Sequence, residues 1–96
     1  MSYKIVILEE AKLDYKESLM WYKSIHSKLG VRFRDSFKKS ILLIKQNPFL
    51  FQIRYDNVRI IFFKTFPYAI HYSIHENSLV IKSIFHTSRN SDLNVF

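Results

Sequence analysis

The chain has 96 residues, 48% of them hydrophobic, and its nine Phe, six Tyr and one Trp supply enough large apolar surface for one self-sufficient core spanning residues 1–96. It contains no cysteine, which excludes disulfides, thiolate metal sites and a cysteine nucleophile. Fifteen Lys and Arg against eight Asp and Glu leave a net charge of +7, a field that suits nucleic acid, an acidic protein partner, or simply a solvated surface.

The opening residues reach Glu9 and Glu10 too early for a secretion signal, and no apolar run is long enough for a membrane span, so a soluble cytoplasmic protein is expected. From Tyr3 to Leu8, Tyr3, Ile5 and Ile7 alternate with Lys4, Val6 and Leu8, which predicts a strand. Glu9 and Glu10 then place negative charge where a helix N-terminus favours it. Ala11, Tyr15, Ser18, Tyr22 and Ile25 follow at helical spacing, predicting a first helix to about His26. After a break through Ser27 and Lys28, the stripe Leu29, Phe33, Phe37, Ile41 and Ile44 predicts a second helix. It stops at Gln46-Asn47-Pro48, because proline has no donor and drives the preceding residue out of the helical region.

Beyond Pro48 the residues turn β-branched and aromatic, predicting strands over 58–63, 68–75 and 79–85. Their connections, Lys64-Thr65-Phe66-Pro67 and Glu76-Asn77-Ser78, are short enough to make successive strands antiparallel neighbours. The expected fold is therefore α+β, a two-layer β-α-α-β-β-β sandwich with an antiparallel helical hairpin on a mainly antiparallel four-stranded sheet. In the middle strand Tyr68, Ile70, Tyr72 and Ile74 share the face expected to be buried.

Helix 1 carries Ala11, Asp14, Glu17, Trp21 and Tyr22, and helix 2 opens on Leu29-Gly30 and Phe33 and closes on Asn47-Pro48. Arg59, Phe66-Pro67-Tyr68, Ile70, Tyr72, His86 and Arg89 follow in order. Across almost the whole chain this succession resembles the RelE/ParE toxins, particularly the ParE-like branch known as plasmid stabilisation proteins. The resemblance implies a cytosolic toxin bound by a cognate antitoxin. It also implies one of two targets: mRNA in the ribosomal A site, cut by RelE-like members, or DNA gyrase, poisoned by ParE-like members. An inactive homologue serving as corepressor with its antitoxin is a third reading. Relatives often continue past the His-x-x-Arg segment with Asn-Pro and a Trp, whereas this chain reads Asn90-Ser91-Asp92-Leu93-Asn94-Val95-Phe96, so its C-terminal segment departs from the pattern.

Metal-free RNA cleavage needs a base for the 2′-hydroxyl, cations for the phosphate oxygens and an acid for the leaving oxygen. His86 as acid or base, with Arg59 and Arg89 on the phosphate, is the candidate catalytic set, and Lys64 and Lys82 are candidate RNA-binding residues; because these residues supply cleavage chemistry, ribosome-dependent mRNA cleavage is the expected activity and gyrase poisoning the alternative. Against this, Arg59 could pair with a helix carboxylate such as Asp14 or Glu17, and His86 could cap the sheet edge. No cofactor or metal is expected. His71 and His75 imitate a zinc pair, but on a strand four residues span about 13 Å, so they are expected to be surface histidines. The cations of helix 2, Lys28, Arg32, Arg34, Lys38, Lys39 and Lys45, oppose only Asp35, and could face ribosomal RNA, an acidic antitoxin or solvent.

Overall fold

A computed structural model describes residues 3–87. The element order is β1 (Lys4–Ile7), α1 (Glu9–Ile25), α2 (Ser27–Gln46), β2 (Ile53–Tyr55), β3 (Val58–Phe62), β4 (Tyr68–His75) and β5 (Ser78–His86). Both helices and all four expected strands form. The sheet has five strands rather than four, in the order β1-β5-β4-β3-β2. The added strand, β2, is three exposed residues at the sheet edge, too short for alternation to reveal. All pairings are antiparallel except that of β1 with β5, where Lys4 lies opposite Ser78 and Ile7 opposite Ile81.

The helices are divided by a single extended residue, His26, and not by the Ser27-Lys28 pair. His26 ends α1 by donating its backbone N–H to the Tyr22 carbonyl, and starts α2 by accepting the Lys28 N–H on Nδ1 at 3.1 Å. An imidazole thus does the work usually given to Ser or Asp at this position. Gly30 lies beside the end of α1, where a Cβ would run into the Lys23 side chain, so the absence of a side chain lets the hairpin close.

The helix stripe covers one face of the sheet. The core comprises Ala11, Phe33, Ile44, Ile61, Phe63, Tyr68, Ile70, Tyr72, Leu79, Ile81 and Ile84, with Ile74 packed at its margin, so the apolar set expected of the middle strand is the buried one. Phe33 is fully buried, with the rings of Tyr15, Tyr22, Phe63, Phe66 and Tyr68 at centroid distances of 5.1 to 5.9 Å. In β5 the buried apolar residues stand at 79, 81 and 84, a spacing strict alternation cannot accommodate. A bulge resolves it: His71 pairs with Ser83 but Tyr72 with Ile81, so Lys82 is the extra residue and Ile84 returns to the core face. Two hairpins turn through left-handed residues, Asp56 (φ 47°) and Glu76 (φ 54°). Among the described residues no helix is long and apolar enough to cross a membrane.

Because the Phe33 ring touches both layers, Phe33→Ala is expected to lower unfolding stability by about 3–5 kcal/mol. Chemical denaturation measures this. A loss below about 1 kcal/mol would mean that the aromatic cluster repacks without its centre.

Candidate functional site

Strand β4 is the spine from which the candidate residues can be located. Arg59 on β3 lies opposite Tyr72, and His86 on β5 lies opposite Tyr68. Both point to the helix-covered face, yet they flank β4 on opposite sides and four residues apart, roughly 13 Å along the strand. They are not brought together. Arg89 lies outside the described residues.

The Arg59 guanidinium is directed at main-chain carbonyls instead of a helix carboxylate. Its Nη1 donates to the Phe51 carbonyl at 2.6 Å and to that of Phe49 at 3.5 Å, and its Cζ stands 5.2 Å from the Phe49 ring centroid. The Tyr72 hydroxyl donates to the Pro48 carbonyl at 2.8 Å, and burial pushes that phenol up to about 12 despite the neighbouring Arg59 charge. Together these side chains supply hydrogen-bond donors to the main-chain carbonyls of Pro48, Phe49 and Phe51 in the segment that follows α2. The turn they fix carries Phe49 and Leu50 outward, 63% and 71% exposed.

His86 occupies a different setting. Its ring meets that of Tyr68 edge-on at 4.9 Å, and it lines an open cleft of about 490 Å³ with Asp14, Glu17, Ser18 and Trp21 of α1 and with Tyr68, Ile84 and Phe85. Asp14, offered by the sequence as a partner for Arg59, accepts the Ile84 N–H on Oδ2 at 3.0 Å and so ties α1 to β5. Burial raises the pKa of the Asp14 carboxyl from its usual value; the Ile84 hydrogen bond opposes that shift, and Glu10 and Glu17 add to it. Two carboxylates beside an imidazole can exchange protons, but they repel a phosphodiester.

The remaining candidates also separate. Lys64 sits in the β3–β4 connection, while Lys82 is the bulge residue of β5 and is exposed. His71 is not a surface histidine: it is 7% exposed on the sheet face away from the helices. The reason is the hairpin that strand patterning did not reveal, which brings the Tyr55 hydroxyl to 2.9 Å from His71 Nδ1, while Phe85 stands edge-on at 4.5 Å. Desolvation pushes the imidazole down to about 4. His75, the other half of the apparent zinc pair, is exposed and lies 3.0 Å from the Ser73 hydroxyl.

No family model matches the sequence, and no curated protein matches it. Among solved structures, a chain described as "Chromosomal ParDE TA system from P. aeruginosa" superposes with a TM-score of 0.75 at 11% sequence identity, covering 88% of this chain and 95% of that one. The likeness shows the fold: two helices on a mixed, mostly antiparallel sheet in the RelE/ParE-like arrangement.

Two titrations test these placements. The raised Asp14 pKa means that its contribution to stability is present at low pH and lost as pH rises through the folded value, so the charge is a cost at neutrality. Asp14→Asn, which keeps an acceptor for Ile84, is expected to melt higher than wild type at pH 7, with an advantage that vanishes in acid. Asp14→Ala should lose about 1–2 kcal/mol, because it strands that N–H. For His71 the sign is opposite: its lowered pKa gives stability that is complete above about 6.5 and lost as pH falls through about 4. A His71→Leu protein should therefore lose less stability than wild type between those limits; parallel pH curves would contradict its burial as a neutral imidazole.

Proposed function

We propose that the chain is the toxin of a ParDE-type toxin–antitoxin pair, and that it arrests growth by binding its target rather than by cutting RNA. The observation that carries the second half is the register around β4. Arg59 and His86 stand on opposite flanks of that strand, Arg59 is engaged with the carbonyls of Phe49 and Phe51, and His86 shares its cleft with Asp14 and Glu17. Phosphodiester cleavage needs its cations and its proton carrier converging on one phosphate. Of the two targets the family resemblance offers, DNA gyrase is the one that a toxin acting by contact alone would engage. The first half is supported by the fold likeness to the chain of the P. aeruginosa ParDE system.

The partner in this reading is a cognate antitoxin, and the surface offers a place that suits one. Lys12, Arg34 and Lys38 rim a cleft of about 230 Å³ floored by Ile7, Tyr15 and Phe37. Cations around an apolar floor fit an acidic segment that inserts an apolar side chain. On α1, Leu13, Met20, Trp21 and Ile25 are further exposed apolar residues.

The test is a pair of reactions run with the purified protein: translation with primer-extension readout, and gyrase supercoiling with detection of trapped gyrase–DNA complex. Accumulated complex, no codon-phased cuts and retained toxicity of His86→Ala are expected. Codon-phased cuts that disappear in His86→Ala would overturn the binding mechanism in favour of mRNA cleavage. Inactivity in both reactions would favour a corepressor.

A further inference from the structure

The connection between β3 and β4 is held against α2 by its aromatic residues. Phe63 stacks on Phe33 at 5.6 Å and lies 6.3 Å from Phe37, and Phe66 meets Phe33 edge-on at 5.4 Å. The two residues between these anchors, Lys64 and Thr65, are thereby fixed beside the polar side of α2. There they line a cleft of about 260 Å³ with Arg32, Asp35, Ser36 and Lys39. Arg32, Ser36 and Lys39 follow one another at spacings of four and three, so they share one helix face. Three cations and two hydroxyls from two separate elements therefore meet around one small opening. Asp35 is the carboxylate of the lining, and its Oδ1 lies 3.7 Å from Nε of Arg34, which offsets part of its charge.

We infer that this cleft is a phosphate-binding site for the backbone of a nucleic acid. The lining side chains decide between partners. The cleft of Lys12, Arg34 and Lys38 is also lined by Ile7, Tyr15 and Phe37, which suit a peptide side chain; this one is lined by three cations, two hydroxyls and the partly offset Asp35, with no apolar residue among them. Arg32 presents a planar fork suited to two phosphate oxygens, while Lys39 and Lys64 act as point charges on either side. A turn anchored at both ends gives up little freedom when it binds, which distinguishes Lys64 from an ordinary solvated lysine. The reading of the chain as a toxin guides only the choice of probe, and the measurement below uses neither gyrase nor ribosome, so either idea can fail alone.

The experiment is fluorescence anisotropy of the full chain with a labelled short DNA duplex and, in a second arm, a labelled single-stranded RNA. Each is measured from about 50 to 200 mM salt. The double variant Lys39→Gln/Lys64→Gln is compared with Lys12→Gln/Lys38→Gln, which removes the same charge from the other cleft, and melting curves confirm that both stay folded. The Lys39/Lys64 pair is expected to weaken binding by about tenfold or more and to flatten the salt slope by about 1.8 on duplex or about 1.4 on single strands. The control pair should leave both nearly unchanged. The arm with the tighter binding and the larger change identifies DNA or RNA as the source of the phosphate. Equal losses from the two pairs, binding to neither probe, or displacement of the nucleic acid by polyglutamate at equal charge would overturn the inference, the last result assigning the cleft to an acidic protein.

Discussion

The ring of Phe33 is the point at which the two layers of this protein are locked in register. It comes from the middle of α2, is closed off from solvent, and meets rings from α1, from the β3–β4 connection and from β4. A small domain has few such points, and here one side chain fixes three relationships: the pitch of the helical hairpin, the height of the hairpin above the sheet, and the position of the turn that carries Lys64. Aromatic contacts of this kind add orientation to area, because edge-on and offset stacking each restrict the angle at which the neighbour can lie.

From that centre the two ends of β4 lead to different chemistry. At the Tyr72 end, the phenol and the neighbouring Arg59 fasten the segment after α2 by its carbonyls, so two strongly polar side chains serve the backbone and hold apolar Phe49 and Leu50 outward. At the Tyr68 end, α1 and β5 part enough to leave a carboxylate-lined cleft beside His86. Among the described residues most of the cations stand on the two helices, and none lines the cleft beside His86. A basic protein can thus present an acidic opening on one side and basic ones elsewhere, which suits a molecule with several partners better than one with a single substrate.

Much of this fold could be read from the sequence because its signals are local. Phe33, Phe37, Ile41 and Ile44 repeat at helical spacing, Tyr68 to His75 alternates, and Pro48 stops α2 at Gln46 by its missing donor and its effect on the residue before it. What could not be read depends on register between distant strands. Neither Asp14 meeting the Ile84 amide nor Arg59 meeting the Phe51 carbonyl leaves a trace in spacing, since each depends on which residues the sheet brings opposite one another. The bulge at Lys82 is equally silent, because Leu79, Val80, Ile81, Ile84 and Phe85 are all apolar and only burial separates 79, 81 and 84 from the rest. β2 and the burial of His71 were hidden together: a strand of three exposed residues carries no pattern, and without its hairpin nothing suggests that Tyr55 reaches that imidazole. The candidate catalytic set rests on positional resemblance and chemical suitability, which say what a side chain can do and nothing about what stands beside it.

The parallel pairing of β1 with β5 joins the first strand of the described residues to the last. During synthesis β1 leaves the ribosome early, and its hydrogen-bonding edge must wait until the residues from Ser78 onward emerge before it finds a partner. Pairing over so great a sequence separation is slow to form and leaves an apolar strand unsatisfied meanwhile. A chain interrupted before β5 lacks the strand that β1 needs, the Ile84 amide that anchors Asp14, and the far wall of the cleft at His86. Unfinished copies are thus candidates for degradation or aggregation, and the complete surface exists only after the last strand has been made.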